Sequence, residues 1–332
     1  MPEVSIIIVC MNRPDNLFPC LDSIRRHTQV SYETLVVAYM FSKDNLEALK
    51  NRYPWVIVVE SQELRGFSEN NNLALRQAKG KYCFVVNDDT WMEMPVIDAL
   101  VADFSQLPAA AAVQPATYYP DGRPQMCGRA DWTPWFYLKH YFHLANETHP
   151  TKWTYKQGLF KTGTINGACF LIKTDVFRDA GWFDETYTFT PEDVALGLLL
   201  RKKGMDIYTD SQTSIIHIGN ATASRLTPAI KPTKVRGSLI LFSNYHHLSS
   251  PQGTACKNRF TYWALALSIG LFECLRGIKY SLLPKSLSDN ASPQERYRAI
   301  MAITSKNVRS ILFSKESPKD IFTRFYKQII HE

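Results

Sequence analysis

Asn87, Asp88 and Asp89 follow the apolar run YCFVV with no spacer between them. Oxygen-bearing side chains at the end of an apolar strand can reach a ligand without being buried unpaired, although Asn-Asp-Asp alone also reads as an ordinary turn. Glu192 and Asp193, in TPEDVAL, open a helical pattern. There they complement the helix dipole in any case, and a carboxylate so placed can also accept a proton. His217 lies in the apolar segment TSIIHIG. A histidine in such a strand is ordinarily structural, bonded to backbone, with ligand contact as the alternative.

The elements that must position these residues alternate regularly. VSIIIV (4–9) is a continuous β-branched run that suits a strand covered on both faces. NRPDNLFPCLDSIRRH follows, with Leu17, Leu21 and Ile24 at helical spacing, Asn12 as a cap and basic residues in the last turn. TLVVAYM and WVIVVE are further strands around the helix NLEALKNRY, and GFSENNNLALRQAKG reads as a helix closed by Gly80 ahead of the next strand. Strand and helix in alternation predict a parallel sheet with right-handed crossovers, whose ligand site lies beyond the carboxyl ends of the strands. Later, GACFLIKTDVF predicts a strand entering a short helix, EDVALGLLLRKKG an amphipathic helix from Glu192 to Gly204, and TSIIHIG a last short strand.

Composition narrows the class. Apolar and aromatic fractions of 45% and 12% are those of a folded, enzyme-sized body, and no repeat, linker tract or charge block interrupts the chain. Seven scattered cysteines without a CxxC pair predict reduced, mostly buried thiols. The first residues, MPEVSIIIVCMNRP, do not read as a secretory leader, so a cytoplasmic address is expected and the sequons at Asn146, Asn220 and Asn290 are read as chance. A net charge of +7 favours an anionic partner, nucleotide phosphates or a lipid headgroup surface. Nothing resembles a zinc finger, an RNP aromatic pair or a concentrated basic helix, so no nucleic acid is expected.

Two segments are open in role. DWTPWFYLKHYFHL, with Trp132, Trp135, Phe136, Tyr137, Tyr141 and Phe142, either offers rings for sugar stacking or forms an apolar cover. From about Lys234 the character changes, giving an expected division into a catalytic domain at 1–233 and a helical region at 234–332. There FTYWALALSIGLFECL (260–275), flanked by Lys257, Arg259, Arg276 and Lys279, falls short of the roughly 20 residues a spanning helix needs. It suits attachment to an anionic membrane surface, the alternative being packing onto the catalytic domain or a partner subunit of a homo-oligomer.

Five stretches in order, SIIIVCMNRPDNLFPCLDSI, RGFSENNNLALRQAKGKYCFVVNDDT, NGACFLIKTDVFRDAGWFDE, PEDVALGLLLRKKG and IIHIGNATAS, resemble the GT-A glycosyltransferases of family 2, in particular their rhamnosyltransferase-like branch in bacterial polysaccharide synthesis. The resemblance covers residues 4–224. It implies an α/β GT-A fold, a Rossmann-like and mostly parallel sheet flanked by helices, with a C-terminal helical extension. It also implies an inverting, metal-dependent transfer from a nucleotide sugar, L-rhamnose on dTDP by preference, to a lipid-linked or oligosaccharide acceptor of O-antigen or capsule type. The enzyme would then work peripherally at the inner face of the cell membrane.

The resemblance carries over site roles residue by residue. The family's Asp-x-Asp motif becomes Asn87-Asp88-Asp89, with Asp89 as ligand to Mg²⁺ or Mn²⁺ and Asn87 near the ribose or a metal-bound water; a divalent cation there offsets charge building on the departing diphosphate. His217 is implied as a second metal or diphosphate contact, with Ser224 and Arg225 beside it. Asp193 is implied as the base and Glu192 as an acceptor contact, or the reverse. Nucleotide-sugar contacts are implied for Cys10, Asn12, Arg13, Arg65, Gly66, Phe67, Asn71 and Asp88, with Gly167 and Ala168 small enough to admit the sugar. The family's Asp-Asn pair after the second strand is absent: VAYMFSKD puts Ala38 and Tyr39 there, Leu64 stands where Asn is common, and Tyr39 is left as a base-stacking candidate. A UDP-hexose donor, or an inactive nucleotide- or glycan-binding relative, are the alternatives.

Overall fold

The computed structural model describes residues 1–126, 128–129, 131–145, 156–219, 226–245, 259–286 and 292–331. Cys127, Asn146, Asn220, Ser224, Arg225, Cys256, Lys257 and Asn290 lie outside the described residues. The chain divides into two units: 1–132, 147–185 and 192–222 form the first, and 133–146, 186–191 and 223–332 the second.

In the first unit the elements run β1 (Val4–Met11), α1 (Pro14–His27), β2 (Tyr32–Tyr39), α2 (Lys43–Arg52), β3 (Ile57–Ser61), α3 (Phe67–Leu75), β4 (Tyr82–Asn87), β5 (Thr90–Met92), α4 (Val96–Gln106), β6 (Ala110–Tyr118) and β7 (Pro124–Met126). After α5 (Pro134–Tyr141) in the second unit come β8 (Leu159–Lys161), β9 (Cys169–Lys173), α6 (Thr174–Asp179), α7 (Glu192–Lys202) and β10 (Asp206–His217). One sheet joins the strands in the order β3-β2-β1-β4-β9-β6-β10-β5. The expected parallel crossovers occupy β3 to β4, and beyond them the sheet is mixed, because β9 runs antiparallel to both β4 and β6.

Side-chain alternation explains how helices cover both faces. Ile6 and Ile8 of β1 turn toward Leu17 and Leu21 of α1, while Ile7 joins Leu75 of α3 and Leu196 of α7 on the other side. Local details depart from the sequence pattern. Asn12 is not the cap of α1; it sits at φ 50°, Arg13 takes the cap position, and Asn12 Oδ1 instead accepts from Ser42 N at 3.0 Å and Asn45 Nδ2 at 2.8 Å. Gly80 does not close α3, which ends at Leu75. A Cβ on Gly80 would lie 2.4 Å from Ser5 N, so the glycine permits close approach of this turn to β1. Helix α7 is not amphipathic, since every residue from Glu192 to Leu198 is buried. Strand β10 is longer than TSIIHIG, starting at Asp206.

The second unit is helical: α5 is joined by α8 (Thr227–Ser243), α9 (Arg259–Ser281), α10 (Pro293–Lys306), α11 (Val308–Phe313) and α12 (Pro318–His331). Helix α8 therefore runs through position 233. Its Arg236 ties the unit together, donating to the carbonyls of Leu312 at 3.0 Å, Ser314 at 2.7 Å and Glu316 at 3.1 Å. Tyr137 stacks on Phe242 at 4.8 Å, so the aromatic segment is in part apolar cover, while Trp135 stays 65% exposed. Among the described residues, no helix is long and apolar enough to cross a membrane.

Candidate functional site

Strand β4 ends at Asn87, and the turn to β5 is fixed from several sides. Thr90 Oγ1 donates to Asn87 O at 2.8 Å, and Asn87 N donates to Ala168 O at 2.9 Å. Beneath the turn lie Cys20 Sγ, 3.8 Å from Asn87 O, and Cys10, whose thiol neighbours the Asp88 carboxylate. Burial, then the charge of Asp88, pushes the Cys10 thiol well up, and burial raises Cys20 to about 12. Thiols held protonated in this way are packing groups rather than nucleophiles.

The antiparallel pairing of β10 with β5, Thr90 opposite His217, brings the imidazole to the same turn. His217 Nδ1 lies 2.6 Å from Gln125 Oε1, and Gln125 Nε2 donates to His217 O at 3.5 Å, which orients the amide. Nδ1 is then the donor, and Nε2 lies 3.2 Å from Asp89 Oδ1 and 3.4 Å from Asn87 Nδ2. A ring nitrogen and a carboxylate oxygen this close hold a proton or a cation between them. One carboxylate and one imidazole suit a divalent cation whose remaining ligands are substrate oxygens and water. No group of three or more His, Cys, Asp and Glu side chains able to hold a metal gathers among the described residues, so they do not build a self-sufficient metal cage.

Asp193 opens α7 and is held at both oxygens. Oδ2 accepts from Arg129 Nη1 at 2.5 Å and Gly167 N at 3.3 Å, and Oδ1 accepts from Val194 N at 2.7 Å. Arg129 also donates to Ile165 O at 2.7 Å, and its guanidinium lies 5.4 Å from the Trp132 ring. Glu192 is buried at the same helix start. The helix can sit this close because residue 197 is glycine: a Cβ there would be 2.9 Å from Thr164 Oγ1 and 3.1 Å from its Cα.

Contacts thus run from Asp193 to Gly167 N, along the backbone to Ala168, from its carbonyl to Asn87 N and from the Asn87 amide to His217, with Asp89 Oδ1 3.2 Å from the ring. The remaining candidates belong to the neighbouring strand ends. Cys10 Sγ donates to Arg13 O at 3.4 Å. Tyr39 is buried among Leu35 and Val37, its hydroxyl accepting from Arg65 N at 3.1 Å. Gly66 N donates to Glu69 Oε2 at 3.1 Å, Phe67 packs edge-on to Phe183, and Asn71 Nδ2 donates to Phe67 O at 2.9 Å. Gln125 and Arg129 escape the sequence reading, since 92 residues separate Gln125 from His217 and 64 separate Arg129 from Asp193, and no long periodic element holds either of them.

The profile of glycosyl transferase family 2 matches residues 5–181, just over half of the chain. The chain belongs to this family. It is 28% identical over 233 residues to the O-antigen biosynthesis protein RfbC of Myxococcus xanthus, an alignment covering 69% of this chain and 18% of that protein. It is 27% identical over 176 residues to an N-acetylglucosaminyl-diphospho-decaprenol L-rhamnosyltransferase of Mycobacterium tuberculosis, covering 46% of this chain and 54% of the relative. The chain therefore spans from about a fifth to about half the length of these curated relatives. Among solved structures it is similar to the mannosyltransferase PcManGT from Pyrobaculum calidifontis in complex with GDP-Man and Mn²⁺, with TM-score 0.55, 14% identity, and coverage of 95% of this chain and 88% of that one. GalNAc-T7 with UDP, GalNAc and Mn²⁺ gives TM-score 0.54 at 14% identity, covering 87% of this chain and 60% of that one. The fold is that of the GT-A glycosyltransferases, and the rhamnosyltransferase-like branch is the one its relatives represent.

Proposed function

We propose that this family 2 chain is an inverting hexosyltransferase that moves a sugar, L-rhamnose from a dTDP donor in the first instance, to a lipid-linked saccharide at the cytoplasmic face of the membrane. The observation that supports it is the run of contacts from Asp193 through Gly167, Ala168 and Asn87 to His217 and Asp89. In this reading Asp193 is the basic carboxylate, and Asp89 with His217 is the cation-favouring pair. The names of the rhamnosyltransferase and O-antigen relatives support the donor and the acceptor class.

In this reading the acceptor hydroxyl attacks the anomeric carbon, and its proton passes to Asp193. The bond from that carbon to the diphosphate breaks, and the electron pair leaves with the nucleotide. Attack opposite the leaving group inverts the centre, and no second carboxylate is needed. Arg129 and Gly167 hold Asp193 Oδ2 in place, and buried Glu192 contacts the acceptor. Gly167 and Ala168 leave room for the sugar. Cys10, Asn12, Arg13, Tyr39, Arg65, Gly66, Phe67, Asn71 and Asp88 shape the nucleotide side. Asp89 and His217 would hold Mg²⁺ or Mn²⁺, which supplies charge compensation for the departing diphosphate. Catalysis is assigned to residues 1–233 and attachment to the helical region 234–332.

The test is donor turnover over a panel of nucleotide sugars with Mn²⁺ or Mg²⁺. Release of dTDP from dTDP-rhamnose is the expected hit; release of UDP from a UDP-hexose would move the donor, and nucleotide binding without turnover would make the chain an inactive relative. Asp193→Asn should lower turnover by about 10²–10⁴-fold with donor affinity retained, the range of general base catalysis.

A further inference from the structure

Charge is distributed unevenly along this chain. Residues 223–332 hold 17 Lys and Arg against 6 Asp and Glu, whereas residues 1–222 hold 21 against 25. The whole positive excess therefore belongs to the C-terminal part, within the second unit. Helix α9 carries the other unusual feature, an inverted arrangement of polar and apolar faces. Its buried face holds an ionic group: Glu273, 1% exposed, accepts from Arg276 and the Tyr141 hydroxyl, and from Ser305 Oγ at 2.8 Å.

The outward face is apolar. Phe260, Trp263, Leu267, Leu271, Leu275 and Ile278 are between 51% and 82% exposed. At 3.6 residues per turn they fall within roughly 120° of the circumference and run about 27 Å along the helix. Exposed Ala264 and Cys274 share this stripe, and no charged residue lies on it between Arg259 and Lys279. Phe313 of α11, 43% exposed and stacked on Trp263 at 5.6 Å, widens it. At its C-terminal end lies an open cavity of about 430 Å³ whose lining includes Lys279, Tyr280, Leu283, Gln294, Tyr297 and Arg298.

We propose that this face is a docking surface for an anionic phospholipid bilayer, with α9 lying in the interface plane, its stripe among the acyl chains, and the Lys279–Arg298 cavity receiving a headgroup phosphate. Charge complementarity selects the occupant. A second copy of the chain would bring two strongly basic surfaces together, whereas an anionic leaflet meets both the stripe and the cations that border it. A contiguous exposed apolar face of this extent calls for a partner, and the alternation of apolar length with flanking cations matches an interface between hydrocarbon and water. The proposal does not depend on the donor or on Asp193.

The full chain is tested by co-sedimentation with phosphatidylcholine vesicles with and without phosphatidylglycerol, at low and high salt. Binding is expected to phosphatidylglycerol vesicles, weakened by salt. Leu267→Glu/Leu271→Glu, at exposed positions, should lower partitioning by about tenfold or more on either vesicle. Lys279→Gln/Arg298→Gln should remove only the phosphatidylglycerol-dependent part, about fivefold per charge. Thermal melting verifies that each variant is folded, and quenching of tryptophan emission by brominated acyl chains, lost in Trp263→Phe, reports insertion without disturbing the stripe's charge. Wild-type chain remaining in the supernatant overturns the proposal, as does unchanged sedimentation of the double glutamate variant. So does a dimer that the glutamates dissociate in the absence of any vesicle binding, which would give the stripe to a second copy.

Discussion

The turn after β4 and the helix α9 both place groups where folding alone would not put them, yet they do so in opposite senses. Around the turn, carboxylates and an imidazole are drawn into a largely closed setting, and several polar groups are held by named partners: Asp193 by Arg129, the His217 ring by Gln125 and the Asn87 backbone N–H by Ala168 O. On α9, ionic groups are answered on the inside by Tyr141 and Ser305, and unanswered hydrocarbon faces outward. Polar groups gathered inward prepare a site for a small charged ligand, because they are oriented before it arrives. Apolar groups gathered outward prepare a site for something extended and soft. One chain carries both devices in separate units, and each can be broken without touching the other.

The sharpest break is at Arg129. Its ion pair with Asp193 is buried, with side-chain exposures of 9% and 11%. Arg129→Gln strands the carboxylate and should cost about 3–5 kcal/mol in denaturant unfolding, and adding Asp193→Asn should return most of that loss. A double variant no more stable than Arg129→Gln alone would show that the two groups are not coupled. Next comes Gln125→Leu, which frees the His217 ring to turn; Mn²⁺ affinity, measured by titration without any sugar donor, should fall by about 10–100-fold. Affinity equal to that of the unaltered chain would remove Gln125 from the site.

The smallest effect is expected at Asp103 of α4. Burial and then the charge of Asp210 push its carboxyl from 3.8 up to about 6. The folded state therefore favours the protonated form, and the stability this contributes is complete below pH 3.8 and lost as pH rises through 6. Asp103→Asn should melt with the unaltered chain in acid and above it at pH 7–8, by at most about 1 kcal/mol given that the side chain is only half-buried. Parallel melting curves across that range would mean that Asp103 titrates normally.

The N-terminal strands were legible in the sequence because a parallel sheet buried on both faces leaves uninterrupted apolar runs, as in Val4–Val9 and Tyr82–Val86. The position of Asn87-Asp88-Asp89 at a strand end followed from that pattern. What sequence pattern misled on was local and steric. Gly80 looks like a helix terminator, yet its glycine answers to a backbone nearly on top of it; Asn12 looks like a cap, yet bonds to α2. Helix α7 read as amphipathic over EDVALGLLLRKKG, but every residue of its first two turns is buried. Arg129 and Gln125 were invisible for a different reason. Each acts through bonds to residues far along the chain, and nothing in the spacing of one residue advertises such a partner.

The register of strand β10 against β6 shifts between Asp210, opposite Pro115, and Ser214, opposite Ala116, so residues 211–213 form a bulge within the strand. Side chains in a strand alternate sides, which makes the count of residues after that bulge a matter of odd or even. Losing one residue beyond Ser214 would leave the sheet hydrogen-bonded and turn the imidazole away from the carboxylate it faces; losing two would restore its face but set it about 6.6 Å along the strand, out of reach of Asp89. The number of residues between the bulge and His217 is thus fixed if the ring is to keep its aim.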